Sequence, residues 1–175
     1  MTAKIMVIGD AEVGKTSLLN QYVKHAFKDK YKPTIGADFH NKKVICGDKE
    51  IKAQFWDTAG QERFTSLAVA FYGGSDACVI VYNVNELQTF KNILKWKKQF
   101  LDTAGGKNLV FCVVGNKAEL AGEEQVSVDE AEKFCSANGG MKHFRTCATN
   151  TEDVEAVFQH IVQAVVSQRS NMNVE

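Results

Sequence analysis

The chain has 175 residues, which suffices for one domain with a sizeable core but not for two comfortable ones. Its 21 basic residues balance 21 acidic ones, which excludes nucleic-acid binding driven by a bulk positive field. A hydrophobic content of 45% and a charged content of 24% are typical of globular proteins and exclude a disordered chain. The longest apolar runs have the length of strands, not of membrane spans. We therefore expect a soluble intracellular domain.

The five cysteines are odd in number, lie far apart and form no CxxC motif. This pattern argues against a disulfide framework and against a zinc site. We expect reduced thiols that pack as small hydrophobic side chains. The four histidines show no ligand spacing either, so no metal role is assigned to them.

The first half of the chain predicts three strands and a helix. The apolar segment Ile5–Ile8 leads through a glycine-bearing turn into a helix over Thr16–Val23. The segments Phe39–Ile45 and Ile51–Trp56 flank Gly47-Asp48, which is typical of a β-hairpin.

The second half alternates strands with amphipathic helices. Cys78–Tyr82 and Leu109–Val114 are near-continuous apolar runs, as in strands covered on both faces, and Lys142–Arg145 is a further short strand. The segment Thr89–Leu101 has helical spacing, and Ser127–Glu130 is a capping box that opens another helix. The helical stripes consist of Phe90, Ile93, Leu94 and Phe100 in the first of these and, in a final helix, of Val154, Val157, Phe158, Ile161, Val162, Val165 and Val166.

Alternation of strands and helices indicates an α/β fold in which helices cover both faces of a mostly parallel sheet, with one antiparallel edge strand. We place a single domain at residues 1–168 and the start of a C-terminal tail at 169–175. Ligands of such sheets bind at the carboxyl ends of the strands, where the polar motifs of this chain lie.

The first motif is GxxxxGK[ST], which spans Gly9–Thr16 directly after a strand. Its backbone N–H groups can surround phosphate oxygens at a helix N-terminus. Lys15 can supply positive charge to the terminal phosphates, and the Thr16 hydroxyl can bind Mg²⁺. The alternative is a simple glycine turn, which the strand–loop–helix context disfavours.

The second motif, Trp56–Phe64, again follows a strand. Asp57 can hold Mg²⁺ through water, Gly60 lets a backbone N–H approach the terminal phosphate, and Gln61 can orient an attacking water. Alone, this segment could be a polar surface loop. Together with the first motif it predicts a nucleotide site.

Two weaker motifs complete the site. Asn116–Glu119 follows the strand Leu109–Val114, and Thr146–Ala148 follows Lys142–Arg145. Because they come at successive strand ends, they predict a pocket for a base.

From Ile5 to about Val166 the chain resembles the Rab-type small GTPases, most closely their late-endosomal and lysosomal subgroup. The resemblance rests on Thr16–Val23, Thr34–Phe39, Ser66–Tyr72 and the AGQERF that follows Trp56-Asp57-Thr58. It implies a P-loop GTPase fold with a six-stranded sheet and about five helices. It also implies a switch that binds GTP or GDP with Mg²⁺, hydrolyses GTP slowly and regulates vesicle or endolysosomal traffic through effectors. Exchange factors and GTPase-activating proteins are the other expected partners.

The resemblance also assigns residues to roles. Thr34 would join Thr16 on Mg²⁺ when the γ-phosphate is present, with Asp57 behind them. Phe27 would cover one face of the guanine and the Lys117 stem the other, although Phe27 could instead pack on the core. The catalytic candidates are Gln61, Lys15 and Gly60, and the nucleotide-binding candidates are Gly9, Ala11, Glu12, Val13, Gly14, Lys15, Thr16, Ser17, Phe27, Tyr31, Thr34, Gly60, Asn116, Lys117, Glu119, Cys147 and Ala148.

An effector surface is implied at Ile35, Phe39, Trp56 and Phe71, although Trp56 could equally be strand packing. No arginine precedes Thr34, so fast hydrolysis would need an arginine from a partner.

Three features depart from the family pattern, two within the site and one at the C-terminus. Glu119 stands where the family has an aspartate that reads guanine, and we expect this to weaken guanine binding by about 1–3 kcal/mol. Cys147 and Thr149 replace a serine and a lysine beside it, while Ala148 keeps the N–H that would meet guanine O6. Glu12 stands where the family has glycine or another small residue; its carboxylate either repels the phosphates or turns to solvent.

The last cysteine is Cys147, whereas Rab proteins end in a tail with one or two prenylated cysteines. We expect the natural chain to continue beyond Glu175; the alternative is a protein that lacks the lipid anchor. With such a tail the protein would be cytoplasmic and cycle to endosomal or vesicle membranes. We expect a monomer.

The departures also leave open a pseudo-GTPase, a binding module that holds nucleotide weakly and acts by protein contact. The presence of Gln61 and Thr34 argues against it. A P-loop kinase fits poorly, because the chain has no arginine-rich lid segment.

Overall fold

The computed structural model describes residues 1–24, 37–58, 60, 62–106, 108–120 and 123–173, with the backbone alone for 62–65. These ranges contain six strands and six helices. The strands are β1 (Thr2–Ile8), β2 (Ala37–Cys46), β3 (Lys49–Thr58), β4 (Ala77–Asn83), β5 (Val110–Asn116) and β6 (Lys142–Arg145), and the helices are α1 (Lys15–Lys24), α2 (Glu62–Val69), α3 (Leu87–Lys91), α4 (Ile93–Ala104), α5 (Val128–Ala137) and α6 (Thr151–Met172).

The six strands form one sheet in the order β2-β3-β1-β4-β5-β6. All neighbouring strands are parallel except β2, which pairs antiparallel with β3 at the edge. The hairpin closes where Cys46 pairs with Lys49 across Gly47 and Asp48, and Gly47 has a φ of 61°. The predicted sheet, its antiparallel edge strand and its turn are therefore confirmed.

Alternate residues of β1 point into two separate cores. Ile5 and Val7 pack with residues of α1 and α6, whereas Met6 and Ile8 pack with residues of α4 and α5. All four are fully buried. Covering of both faces explains why the central strands are apolar without alternation.

The final helix agrees with its periodicity, because all seven residues of its predicted stripe are buried. The capping box is also confirmed: the Glu130 backbone N–H donates to the Ser127 hydroxyl over 3.1 Å, and α5 begins at Val128. The stability of both elements is thus encoded locally.

The segment predicted as one helix over Thr89–Leu101 is two helices, which meet at Asn92. Within α4, the buried stripe consists of Ile93, Trp96, Phe100 and Ala104. Leu94, predicted to face the core, is 43% exposed. The apolar spacing identified the right segment but assigned Leu94 to the wrong face, because Trp96 continues the stripe instead.

Helix α6 continues through Met172, past residue 168, where the predicted domain ends. Its last turns contact the rest of the fold, since Arg169 Nη1 donates to the Thr2 carbonyl over 2.8 Å and Arg169 Nη2 pairs with Asp76. None of the helices in the described ranges is long and apolar enough to cross a membrane.

Candidate functional site

The nucleotide-binding candidates that the structure describes lie in segments at the carboxyl ends of the parallel strands. The loop of the first motif follows β1, Asp57 lies near the end of β3, and Asn116 ends β5. The segment Thr146–Ala148 follows β6. This is the edge at which open α/β sheets bind ligands.

Two glycines of the first loop allow main-chain approaches that no other residue permits. Gly9 has a φ of 145°, and a Cβ there would lie 2.2 Å from the Val81 carbonyl oxygen. Gly14 has a φ of 99°, and its Cβ would lie 2.3 Å from Asn116 Nδ2. Both positions therefore require glycine for conformation and for space.

Lys15 lies inside this loop and is only 6% exposed. Its ammonium group donates to the carbonyls of Gly9 over 2.9 Å and of Asp10 over 2.7 Å. Burial lowers the pKa of Lys15 to about 8, although the carboxylates of Asp57 and Asp10 oppose the shift. The loop thus encloses a cation that remains largely protonated at neutral pH.

Thr16 and Asp57 meet next to Lys15. The Thr16 hydroxyl donates to Asp57 Oδ2, and Asp57 is completely buried. Burial raises the pKa of Asp57, while the hydrogen bond from Thr16 and the charge of Lys15 oppose that shift. A hydroxyl and a carboxylate side by side form an all-oxygen donor set, which is the kind that Mg²⁺ prefers. The residues therefore fit a magnesium ion.

Gly60 lies against the first loop. A Cβ at Gly60 would come within 2.4 Å of the Ala11 nitrogen and 2.5 Å of the Asp10 carbonyl carbon. Hence Gly60 packs directly against the loop of the first motif. Five further candidates lie outside the described residues, namely Phe27, Tyr31, Thr34, Ile35 and Gln61.

Asn116 joins the loop after β1 to the loop after β6. Its Nδ2 donates to the Val13 carbonyl over 3.0 Å, and its Oδ1 accepts from the Thr146 hydroxyl over 3.1 Å. The Ala118 backbone N–H donates to the Thr146 carbonyl over 3.2 Å. Asn116 and Thr146 are each 1% exposed. Three of the four motifs are thus held together by a buried polar network.

The residues predicted to contact a base differ in exposure. Glu119 is exposed, Ala148 is buried, and Cys147 is half-buried with its Sγ 2.6 Å from the Thr149 hydroxyl oxygen. Lys117 has a φ of 64°, and its carbonyl accepts from Asn85 Nδ2 over 3.1 Å. Sequence analysis did not identify Asn85, because nothing in its local pattern links it to the loop at Lys117.

The other first-motif residues differ in exposure. Glu12 is exposed and has a φ of 64°, in the left-handed region that favours glycine. This conformation suits glycine better than a residue with a side chain. Val13 is buried, and Ala11 and Ser17 are half-buried.

The three described residues of the predicted effector surface form one aromatic cluster. The ring centres of Phe39 and Trp56 lie 4.9 Å apart, and those of Trp56 and Phe71 lie 5.2 Å apart. Phe39 is 45% and Phe71 38% exposed. Lys4 supports the cluster, because its Nζ lies 4.9 Å from the Trp56 ring centre and donates to the Phe71 carbonyl over 2.6 Å.

Comparison with known proteins agrees with this geometry. Residues 4–167 match the model of the Ras family. Ras-related protein Rab-7a of Dictyostelium discoideum is 45% identical over 93% of this chain and 82% of its own length. Ras-related protein Rab7 of Pisum sativum is 46% identical over 91% and 80%, and Ypt/Rab-type GTPase ypt7 of Pyricularia oryzae is 42% identical over 96% and 84%. The chain therefore belongs to the Ras family and, within it, to the Rab-type GTPases related to Rab7, GTP-binding switches that hydrolyse GTP to GDP and regulate membrane traffic.

Proposed function

We propose that the loop Gly9–Thr16 and Asp57 bind the phosphates of GTP or GDP together with Mg²⁺, and that the loops after β5 and β6 bind the guanine. The observation that carries this proposal is the group formed by Lys15, Thr16 and Asp57 at one strand edge. A buried ammonium, a hydroxyl and a buried carboxylate there match the chemistry of a metal-bound polyphosphate.

Lys15 would act on the phosphates as a fixed positive charge. Its ammonium is already held by the carbonyls of Gly9 and Asp10, so little reorganisation is needed before it meets a phosphate oxygen. The N–H groups of the loop, at the N-terminus of α1, would bind the remaining oxygens.

Thr16 and Asp57 would hold the metal, Asp57 through water, and Thr34 would join them in the GTP-bound state. Mg²⁺ bound there would neutralise negative charge on the phosphates as the terminal phosphoryl group leaves. The Thr16 hydroxyl can keep its hydrogen bond to Asp57 while its oxygen binds the metal, because a hydroxyl has one donor hydrogen and two lone pairs.

The hydrolytic step would depend on the segment that follows β3. Gln61 would orient the attacking water, and the Gly60 backbone N–H would bind the γ-phosphate. The contact of Gly60 with Asp10 and Ala11 supports this role, because it brings that backbone to the loop. Loss of the γ-phosphate would then release Thr34 and Gly60 and alter residues 30–39 and 60–70.

The base would lie against the network built on Asn116. The Lys117 stem and Phe27 would cover its two faces, Glu119 would accept from its N1 and N2 groups, and the Ala148 N–H would donate to its O6. The exposed position of Glu119 leaves room for a carboxylate one methylene too long. We expect weaker guanine binding than an aspartate would give, by about 1–3 kcal/mol.

The aromatic cluster of Phe39, Trp56 and Phe71, together with Ile35, would bind effectors. Exposed aromatic rings of this kind are typical of protein interfaces. An exchange factor and a GTPase-activating protein that supplies an arginine are the other expected partners. Relatives named Rab7 support cycling to endosomal membranes, which we propose to depend on a lipidated tail. We propose that the chain acts as a monomer.

The dissociation rate of a fluorescent GDP analogue in Mg²⁺ tests the nucleotide assignment. Adenine and xanthine analogues serve as specificity controls, and excess EDTA serves as the control for the metal. We expect release over hours in Mg²⁺, markedly faster release in EDTA, and a preference for guanine. Release within seconds in Mg²⁺, or equal retention of adenine, would overturn the proposal and favour a binding module that holds nucleotide loosely.

A further inference from the structure

We infer that Asn92 and Trp96 are positioning residues of the nucleotide site, because they hold the phosphate-binding loop in place through the carboxylate of Asp10. The inference rests on the proposed function, in which that loop binds the phosphates. Sequence analysis assigned no role to any of the three residues.

Asp10 lies in the loop of the first motif, yet its side chain is turned to the helices. Asp10 Oδ1 accepts from Trp96 Nε1 and Asp10 Oδ2 accepts from Asn92 Nδ2, each over 2.7 Å. Both oxygens of a negatively charged group are thus bound, and hydrogen bonds to a charged acceptor are among the stronger ones. The carboxylate is thereby directed to the helices and kept from swinging towards bound phosphates, whose charge has the same sign.

The helical side of this contact is rigid. Asn92 and Trp96 lie four residues apart, so they project from the same face of the helix. The backbone N–H of Trp96 donates to the Asn92 carbonyl over 3.1 Å. Trp96 is 7% exposed and belongs to one of the two cores. Gln88 Nε2 donates to Asn92 Oδ1 over 3.0 Å, which orients the amide so that its NH₂ group faces Asp10.

Asn92 occupies the junction of α3 and α4, where an asparagine side chain usually caps a helix. Here its side chain makes no capping hydrogen bond to α4, whereas its backbone N–H donates to the Gln88 and Phe90 carbonyls of α3. Its amide donates to Asp10 instead. The side chain is therefore used for a contact between the helices and the loop.

The position of Asp10 matters because its main chain contacts two other parts of the site. Its carbonyl accepts from the Lys15 ammonium over 2.7 Å, and Gly60 lies directly against the same peptide group. A displacement of Asp10 would move the carbonyl that presents Lys15 and the surface on which Gly60 rests. The helices thus help to set the geometry of the loop.

The test measures release of a fluorescent GDP analogue from four variants. Asn92→Asp brings two carboxylates together, and we expect release at least about 10-fold faster than wild type. Trp96→Phe removes one donor and should speed release by about 3- to 10-fold. Asp10→Asn combined with Asn92→Asp restores an amide–carboxylate pair in reversed polarity and should return the rate to within about 3-fold of wild type. Gln99→Glu adds the same charge to α4 elsewhere and should change nothing.

A second measurement separates positioning from general stability. In a Trp56→Phe background Trp96 is the single tryptophan, so its emission reports the contact with Asp10. We expect the Trp96 emission to change when GDP binds. In the Asn92→Asp variant we expect no such change. Thermal unfolding of each variant without nucleotide shows whether faster release merely follows lower stability of the fold itself.

Failure of the proposed function and failure of the inference give different results. If the wild type does not retain guanine nucleotide, the proposed function fails. If the wild type retains it and both Trp96→Phe and Asn92→Asp release it at the wild-type rate, the inference on α4 is overturned while the nucleotide site stands. Absence of rescue in the double variant would also overturn it, as would faster release fully matched by lost stability. Poor folding of Asn92→Asp alone leaves Trp96→Phe and the double variant to decide.

Discussion

The two ends of the site differ in how closely they keep the family pattern. At the phosphate end, Lys15 and Asp57 match it and are buried, Thr16 donates to Asp57, and the departure at Glu12 is exposed. At the base end, the frame of Asn116 and Thr146 is equally buried, but Glu119 and Cys147 depart from the pattern and lie further out. The difference teaches that the departures concern side chains around the ligand and leave the supporting network intact. They should therefore change nucleotide affinity and selectivity more than folding.

The largest expected effect lies at the phosphate end. Lys15→Ala removes a buried positive charge next to the phosphates, which at about 4 Å and an effective dielectric constant near 20 corresponds to about 4 kcal/mol. We expect affinity for GDP to fall by about 1,000-fold, measured by fluorescence titration. Lys95→Ala, at an exposed position of α4, is the control. A fall of less than about 10-fold would contradict the role of Lys15.

At the base end we expect a substitution to raise nucleotide affinity. Glu119→Asp shortens the side chain to the family length, and we expect guanine affinity to rise by about 5- to 150-fold, the equivalent of about 1–3 kcal/mol. Isothermal titration with GDP, and with XDP as the mismatched base, measures it. The matched control is Glu123→Asp, an exposed residue a short distance along the chain. Unchanged or weaker binding would mean that Glu119 does not contact the base.

The reactivity of the Cys147 thiol tests whether Cys147 lies next to the bound base. The other four cysteines are buried, and burial raises the pKa of each of those thiols, so Cys147 should react first with a maleimide. Bound GDP should slow that reaction by about 10-fold if the thiol faces the base. Mass spectrometry of the digested protein identifies the modified residue, and Cys147→Ser supplies the blank. Equal rates with and without GDP would put the thiol outside the contact.

The smallest expected effect is a change in stability at Glu12. It separates two possible causes of a stability cost there, backbone conformation and charge repulsion. Its left-handed backbone costs a non-glycine residue about 1 kcal/mol, so Glu12→Gly should raise the free energy of unfolding by about that amount at saturating GDP. Glu12→Ala removes the carboxylate but keeps the strained backbone. Urea unfolding of both variants decides between the causes. Equal stabilisation by alanine would show that charge repulsion, and not backbone conformation, is the main cost.

Much of this molecule could be predicted from its sequence because the relevant signals are local. The hairpin at Gly47-Asp48, the cap at Ser127 and the stripe of α6 each depend on neighbours in the chain. The four motifs could be placed at one edge because parallel strands share their carboxyl ends. Identification of Lys15, Asp57 and Asn116 as candidates followed from that placement.

The contact of Asp10 with Asn92 and Trp96 could not be predicted, because more than eighty residues separate the loop from these two side chains. A buried tryptophan usually needs a partner for its N–H, but the sequence does not say which one. The prediction that Leu94 faces the core was wrong for a related reason. Because Leu94 and Trp96 are both apolar, their spacing allowed two possible buried stripes. Tertiary packing chose between them.

The two hydrogen bonds of Asn116 have a consequence for the thermodynamics of nucleotide binding. One amide binds the Val13 carbonyl of the phosphate loop and the Thr146 hydroxyl of the base loop. We expect order imposed on either loop by a ligand to be passed to the other through this side chain, and such coupling is reciprocal. Guanosine alone and pyrophosphate alone must each order both loops by itself. The product of their association constants should therefore be far smaller than the association constant of GDP. A whole nucleotide orders them once, which makes its retention a cooperative property of the two ends.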